Sequence, residues 1–187
     1  MGTRNLTMVQ YKDRIALAKY GQCDGDLSSL GNDIVKFLNS EFKKEEFIQN
    51  LQNVKNISTD EDLKALGDKD DDFKEGGKFY SLNRDCSGSD AFQLIQSGKM
   101  TYACNSEEFA YDSLFCEYGY LLNLDNDTLE IYRGFNEVKL PKTARFYRKE
   151  PDEDGYYGIR LYHTYPLSKL PQDLSELDKQ LEAESEA

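Results

Sequence analysis

The chain has 187 residues, 35 acidic against 23 basic side chains and a net charge of −12, a balance that repels nucleic-acid backbones, whose binding needs clustered Lys and Arg to displace counterions. Hydrophobic content of 39% with 13 Tyr and 10 Phe supports a packed interior, while the absence of Trp and a mean hydropathy of −0.74 put a heavily charged surface around it. The length suits one domain, and no apolar stretch approaches the roughly 20 residues of a membrane span.

The opening Met-Gly-Thr-Arg-Asn lacks the basic-then-apolar pattern of a signal peptide, and Leu6 stands where a myristoylation signal carries Ser or Thr. The expected location is cytoplasmic, with neither membrane nor nucleic acid as a direct partner. Cys23, Cys86, Cys104 and Cys116 include no C-x-x-C pair and suit small buried hydrophobes better than a disulfide framework.

Thr3 to Tyr11 alternates as a strand with Arg4, Leu6 and Met8 on one face, Lys12 and Asp13 turn the chain, and Ile15 to Tyr20 returns. The loop from Gly21 to Gly31, rich in Gly, Asp and Ser, leads into a helix. Its glycines and the helix N-terminus suit an anion cradle. Its aspartates, the lack of a following Lys and a spacing that is neither P-loop nor Rossmann suit a plain strand-to-helix connection.

Asn32 to Phe42, with Ile34, Val35, Phe37 and Leu38, and Glu45 to Val54, with Phe47, Ile48, Leu51 and Val54, carry apolar residues at helical spacing. Ser58 or Thr59 with Glu61 or Asp62 forms a capping-box pattern that starts a third helix through Ala65 and Leu66, stopped at Gly67. The acidic run from Asp68 to Asp72 is not an EF-hand loop, because Phe73 and Phe79 stand where Gly and Glu are needed. A solvated loop closed by Gly76 and Gly77 is expected instead. Lys78 to Leu82 alternates like a short strand and delivers Arg84 and Asp85 to a helix capped by Ser87 or Ser89, with Ala91, Leu94 and Ile95 as its stripe and Gly98 as its stop. Arg84 beside Asp85 at that corner fits a ligand-binding pair or a structural ion pair.

Tyr118, Tyr120, Leu122 and Leu124 lie on one face of a period-two ladder, Asp125, Asn126 and Asp127 reverse the chain, and Leu129 and Ile131 resume the alternation, which predicts a β-hairpin. Just before it, Asp112 and Glu117 bracket a mostly apolar run, and acids so placed want partners. Val138 to Pro141 leaves the sheet, and Arg145 to Tyr147 and Tyr156 to His163 predict two further strands around a turn at Pro151 to Gly155. Pro171 to Ala183 predicts a final amphipathic helix on Leu174, Leu177 and Leu181, followed by a polar tail. The expected class is α+β, one antiparallel sheet of about five to seven strands packed against four or five helices. Residues 1–170 form the single domain and residues 171–187 the C-terminal helix and tail.

Several segments resemble a family of proteins from bacteria, their viruses and fungi. The opening Met1-Gly2-Thr3-Arg4-Asn5-Leu6-Thr7 is similar to the family's MGTRNLT or MGTRALT start. Tyr20-Gly21-Gln22 with Asp24-Gly25 and Gly31 resembles a YGQWDGYPSGQG-like segment, Asn83-Arg84-Asp85-Cys86 with Gly88 an SRDTGA-like one, and Asp112 through Tyr120 a DSLFCEWAY-like one. The resemblance covers most of the chain. The family is uncharacterised and has no assigned activity, so the likeness implies relatives and not a reaction. The chain departs from the pattern at Cys23, which stands for Trp, at Asp26 and Leu27, which stand for Tyr-Pro, at Ser29, which stands for Gly, and by an extra residue at the Arg84-Asp85 corner. These departures bear on whether a ligand of the family's loop is bound here.

The residues that carry the resemblance, Arg4, Asp24, Gly25, Arg84, Asp85, Asp112 and Glu117, are polar and backbone-permissive types. Converging on one sheet edge, they make a candidate binding site for a polar small molecule or a general acid/base site. The enzyme reading lacks parts, because the sole histidine, His163, lies outside these segments and no nucleophile triad or metal-ligand spacing is present. A pair of carboxylates is nevertheless chemically sufficient for hydrolysis. The expectation is a soluble binding or interaction module without metal or cofactor, its partner a polar small molecule or a basic protein surface. The alternatives are a carboxylate-based enzyme acting on a polar small molecule and an acidic nucleic-acid mimic that inhibits a basic protein.

Overall fold

The computed structural model describes residues 2–57, 59–66 and 70–185. In chain order the elements are β1 (Asn5–Tyr11), β2 (Arg14–Gly21), α1 (Asn32–Ser40), α2 (Lys44–Leu51), β3 (Lys55–Ile57), α3 (Asp60–Ala65), α4 (Asp70–Phe73), α5 (Gly88–Gln96), β4 (Tyr102–Cys104), β5 (Tyr118–Asn123), β6 (Thr128–Arg133), β7 (Arg160–Pro166) and α6 (Ser175–Ser185). A single π-helical turn over Leu27–Gly31 runs straight into α1.

The five-stranded sheet has the order β2-β1-β5-β6-β7 and is built from the two expected hairpins. They are joined through a parallel β1–β5 pairing, so the sheet is mixed where a wholly antiparallel one was expected. Parallel neighbours need a long crossover, and here α1 to α5 supply it between β2 and β5. Lys12 and Asp13 turn the first hairpin with φ of 55° and 58°. The second hairpin holds that turn: Asp125 accepts from the N–H of Lys12 at 2.8 Å and of Asp13 at 2.9 Å. The two tips are thus fixed to each other.

Val9, Leu17, Tyr118, Tyr120, Leu122, Leu124, Leu129 and Ile131 face α1, α2, α5 and α6 in one buried cluster. Leu6, Met8, Ala18, Leu121 and Tyr132 face the other way, and Ala110, Cys116, Phe146 and Ile159 cover them. The irregular segments around residues 110 and 146–159 therefore do on one face what the helices do on the other, which leaves β5 buried along its whole length. Gly119 makes this possible, since a Cβ there would lie 2.8 Å from the Ile159 side chain. Leu174, Leu177 and Leu181 of the C-terminal segment join the helix-side core.

Four sequence expectations change. Lys78 to Leu82 is not a strand: Phe79 and Leu82 are buried three residues apart, a spacing that closes a 3-10 turn over Tyr80–Leu82. Arg145 to Tyr147 forms a turn in which Phe146 alone plugs the core. The strand expected over Tyr156 to His163 begins only at Arg160, because the N–H of Tyr157 is taken by Asn136 at 2.8 Å and that of Ile159 by Ala110 at 2.9 Å. Part of the acidic run is helical, Asp70–Phe73, with aspartates in its first turn where the helix dipole favours them; Asp68, Lys69, and the expected stop at Gly67 lie outside the described residues, as do Ser58 and the last two residues of the expected tail. The short parallel pair β3–β4 was not anticipated. Thr59 does cap α3, accepting from the Asp62 N–H, and Ser87 forms a full capping box with Asp90 at the start of α5.

Candidate functional site

The polar end of the sheet lies where β1 begins and β2 ends. On the helix-covered face of β1, Asn5 and Thr7 are buried polar residues in line with Val9, and Thr7 pairs across to Lys19, also buried. Above them sit the loop that follows β2 and the corner that precedes α5.

Asn5 is wedged between two glycines. A Cβ on Gly21 would lie 2.5 Å from Asn5 Oδ1, and one on Gly25 would lie 2.5 Å from Asn5 Cβ. Glycine at both places is therefore a matter of space. Asn5 Nδ2 donates to Cys23 O at 3.2 Å and ties the strand to the loop. The Gly25 N–H donates to Thr3 O at 3.0 Å, and its carbonyl accepts from the Tyr120 hydroxyl at 2.8 Å. Asp24 takes a left-handed backbone, φ 53°, a conformation Asp tolerates better than most residues. Asp26 caps the following helix by accepting from the Ser29 N–H at 2.9 Å and the Ser28 hydroxyl at 2.6 Å. Partial burial pushes its carboxyl up, but these hydrogen bonds together hold it below the usual carboxylate value.

The second wall is the Asn83–Ser87 corner. The Lys19 ammonium holds it, donating to Asn83 O at 2.6 Å and to Tyr20 O at 2.8 Å. Burial pulls the Lys19 pKa down, opposed by its interactions with Cys86, Cys104 and Asp85. Gly88 then packs directly on β1, where a Cβ would come within 1.9 Å of Thr7 Oγ1. Cys86 is pushed up to about 11 by its burial, so it is a thiol at neutral pH and no ready nucleophile.

Between the two walls lies a cleft of about 350 Å3 lined by Asn5, Cys23, Asp24, Asp33, Arg84 and Asp85 among others. Asp24, Arg84 and Asp85 thus meet, as expected, and Gly25 packs behind Asn5. Arg84 and Asp85 pair at 3.6 Å with both side chains more than half exposed. Arg4, Asp112 and Glu117 do not line this cleft. Glu117 pairs with Arg4 at 3.7 Å and accepts from the Arg4 N–H at 3.2 Å, while the Arg4 guanidinium stacks 4.6 Å from the Phe115 ring centre. Asp112 organises the turn before β5, its carboxylate accepting from the Phe115 N–H at 3.4 Å and its carbonyl from the Cys116 N–H at 2.8 Å. These partners answer the demand that two acids around an apolar run create.

Sequence reasoning missed Asn5 and Lys19. Two buried oxygens lack a hydrogen-bond partner among the described residues, Asn5 Oδ1 and Thr7 Oγ1, and both lie on this stretch of β1. A buried acceptor left unmade costs about 1–3 kcal/mol, and Asn5 is also part of the cleft lining. Among the described residues no cluster of three or more His, Cys, Asp or Glu is placed to hold a metal ion, and no helix is long and apolar enough to cross a membrane. No family model, curated protein or solved structure matches the chain.

Proposed function

We propose that the protein is a binding module for a polar small molecule, held in the cleft between the Gly21–Gly31 loop and the Asn83–Ser87 corner. The observation that carries this reading is Asn5, which lines a cleft rimmed by Asp24, Asp33 and Asp85 and whose buried Oδ1 has no hydrogen-bond partner among the described residues. Unmatched acceptors and carboxylates ask for a ligand that brings N–H or O–H donors, and Arg84 at the same rim accommodates one acceptor group. The volume sits at the small end of ligand pockets, about 300–1,000 Å3, which suits an amino alcohol, an amino sugar or a polyol. Resemblance to the family fits this reading in that two of the four segments that carry it, the loop and the corner, are the two walls of the cleft.

A carboxylate-based enzyme is the second reading, favoured by three aspartates lining one cleft. Its difference is turnover of the bound molecule.

A thermal-shift screen of amines, amino sugars and polyols tests the proposal. At least one member is expected to raise the melting temperature, and the Asp24→Asn/Asp85→Asn double variant is expected to lose that rise while folding normally. A screen without a hit, or hits that persist undiminished in the double variant, would remove the cleft from consideration. Chemical change in a bound hit, followed by mass spectrometry, would favour the enzyme.

A further inference from the structure

The cleft at Asn5 does not end at its own walls. Asp33, at the start of α1, also lines a smaller cavity of about 210 Å3, together with Lys36, Glu41, Asp90 and Gln93 among others. Phe37, Glu41, Asp90 and Gln93 in turn line a third cavity, of about 600 Å3, which Glu75, Tyr80 and Leu94 help to close. The three are consecutive stretches of one groove.

Its course follows from how two helices lie. Both α1 and α5 begin at the cleft, with Asp33 and Ser87 in its lining, and both end at the far cavity, with Glu41 and Ser97 in its lining. Phe37 and Phe92 meet between them with ring centres 6.1 Å apart. Asp33, Phe37 and Glu41 recur every four residues, a spacing that puts them on one side of α1. At a rise of 1.5 Å per residue Asp33 and Glu41 stand about 12 Å apart. Buried Phe37 and partly buried Tyr80 and Leu94 give the groove an apolar floor.

The lining of the whole groove holds seven carboxylates against four cations. Among the described residues Asp33, Glu41 and Glu75 have no ion pair and no hydrogen bond to the carboxylate. Asp90 engages only one carboxylate oxygen, Oδ2, which accepts from the Tyr80 hydroxyl and from the Ser87 N–H, each at 3.3 Å. The far cavity lies at the C-terminal ends of α1 and α5, where the helix dipoles favour a cation. At the opposite end of the groove stands the buried, unpartnered Asn5 Oδ1. Free acceptors thus recur along the groove above an apolar strip, an arrangement that asks for ammonium groups, which only donate, separated by hydrocarbon.

We propose that the groove binds a linear aliphatic polyamine, with one ammonium group among Asp24, Asp33 and Asp85, another among Glu41, Glu75 and Asp90, and the methylenes between them laid over Phe37 and Leu94. The inference rests on the reading of the cleft as a small-molecule site and names the class of ligand it takes. A four-carbon diamine is too short to reach both ends, whereas a tetra-amine is long enough.

Isothermal titration of putrescine and of spermine into the intact chain tests it, in about 0.15 M sodium chloride, where attraction between exposed charges reaches only about 8 Å. Spermine is expected to bind at least about tenfold more tightly than putrescine. Glu41→Gln/Glu75→Gln changes two exposed side chains, so the variant is expected to fold and to bring spermine down to within about threefold of putrescine. Asp24→Asn/Asp85→Asn is expected to weaken both amines. Glu153→Gln/Asp154→Asn removes the same charge from an exposed turn outside the groove, and is expected to weaken neither, which separates the groove from net charge. Equal affinity for the two amines, spermine binding undiminished by Glu41→Gln/Glu75→Gln, or binding diminished as much by the turn variant would overturn the extended ligand and leave the cleft standing. Spermine binding indifferent to Asp24→Asn/Asp85→Asn would overturn both. Failure of both amines to bind at millimolar concentration would overturn the polyamine and leave the cleft to the broader screen.

Discussion

Gly88 is the position where one atom decides the most. Its Cα rests on Thr7, and a Cβ would come within 1.9 Å of Thr7 Oγ1 and 2.6 Å of Thr7 Cβ, contacts that force β1 and α5 apart. Gly88→Ala is expected to destabilise by about 1–3 kcal/mol, the usual penalty of overpacking, and Thr7→Ala in the same chain to recover part of it, as read by urea denaturation. Asp125 acts through charge instead. Hydrogen bonding from the Asp13 N–H lowers its pKa, slight desolvation opposes this, and the Gln10 side chain, the Lys12 N–H and Lys44 lower it further. A carboxyl depressed in the folded state contributes stability that is present above its unfolded value of about 3.9 and lost as pH falls through the folded one. The stability gap between the native chain and Asp125→Asn is therefore expected to be full at pH 6 and to shrink below pH 4. Asp85→Asn, by contrast, is expected to change stability by less than about 1 kcal/mol, because its pair with Arg84 is exposed. At this scale Asp24, Arg84 and Asp85 were legible, since short polar motifs beside glycines announce a loop or a corner. Asn5 and Lys19 were not, because nothing in a strand's own alternation says that a polar side chain faces the core until its neighbours are placed.

The central hairpin carries the element-scale argument. Leu122 is fully buried between the sheet and the helices, so Leu122→Ala is expected to cost about 2–5 kcal/mol through lost transfer energy and the cavity left behind. A change under about 1 kcal/mol in urea melts would place it outside the core. Lys19 acts on a different pair of elements, since its ammonium is the link between β2 and the corner before α5. Lys19→Met is expected to leave the first hairpin folded and to speed amide hydrogen exchange at residues 83–87. Both hairpins were readable because strict alternation runs on either side of residues that accept left-handed backbone. The stretches over 78–82 and 145–147 misled for a shared reason: an aromatic between polar residues scores as alternation, yet Phe79 and Phe146 are single plugs, and a strand needs a partner whose hydrogen bonds are free.

Charge acts on the whole molecule. The α+β class follows from patterning that the chain displays openly, whereas the parallel seam between β1 and β5 depends on which hairpin edges meet, a choice no local pattern records. Net charge is the one global property that was complete from the start, and it makes its own prediction. Most ion pairs among the described residues are exposed, Lys43–Glu46, Lys74–Asp71, Arg84–Asp85 and Lys179–Glu176 among them, and exposed pairs contribute little to stability. Salt therefore removes little attraction, while a net charge of −12 leaves considerable repulsion for it to screen. The pairs with the most to contribute, Arg145–Glu130 and Arg4–Glu117, are partly buried and less accessible to screening. Between 0.01 M and 0.15 M sodium chloride the Debye length falls from about 30 Å to about 8 Å, which shortens repulsion across the molecule without reaching contacts of 3–4 Å. The melting temperature at pH 7 is expected to rise over that range, and scanning calorimetry at the two salt concentrations measures it. A fall would mean that the surface pairs hold the fold together more strongly than their exposure implies.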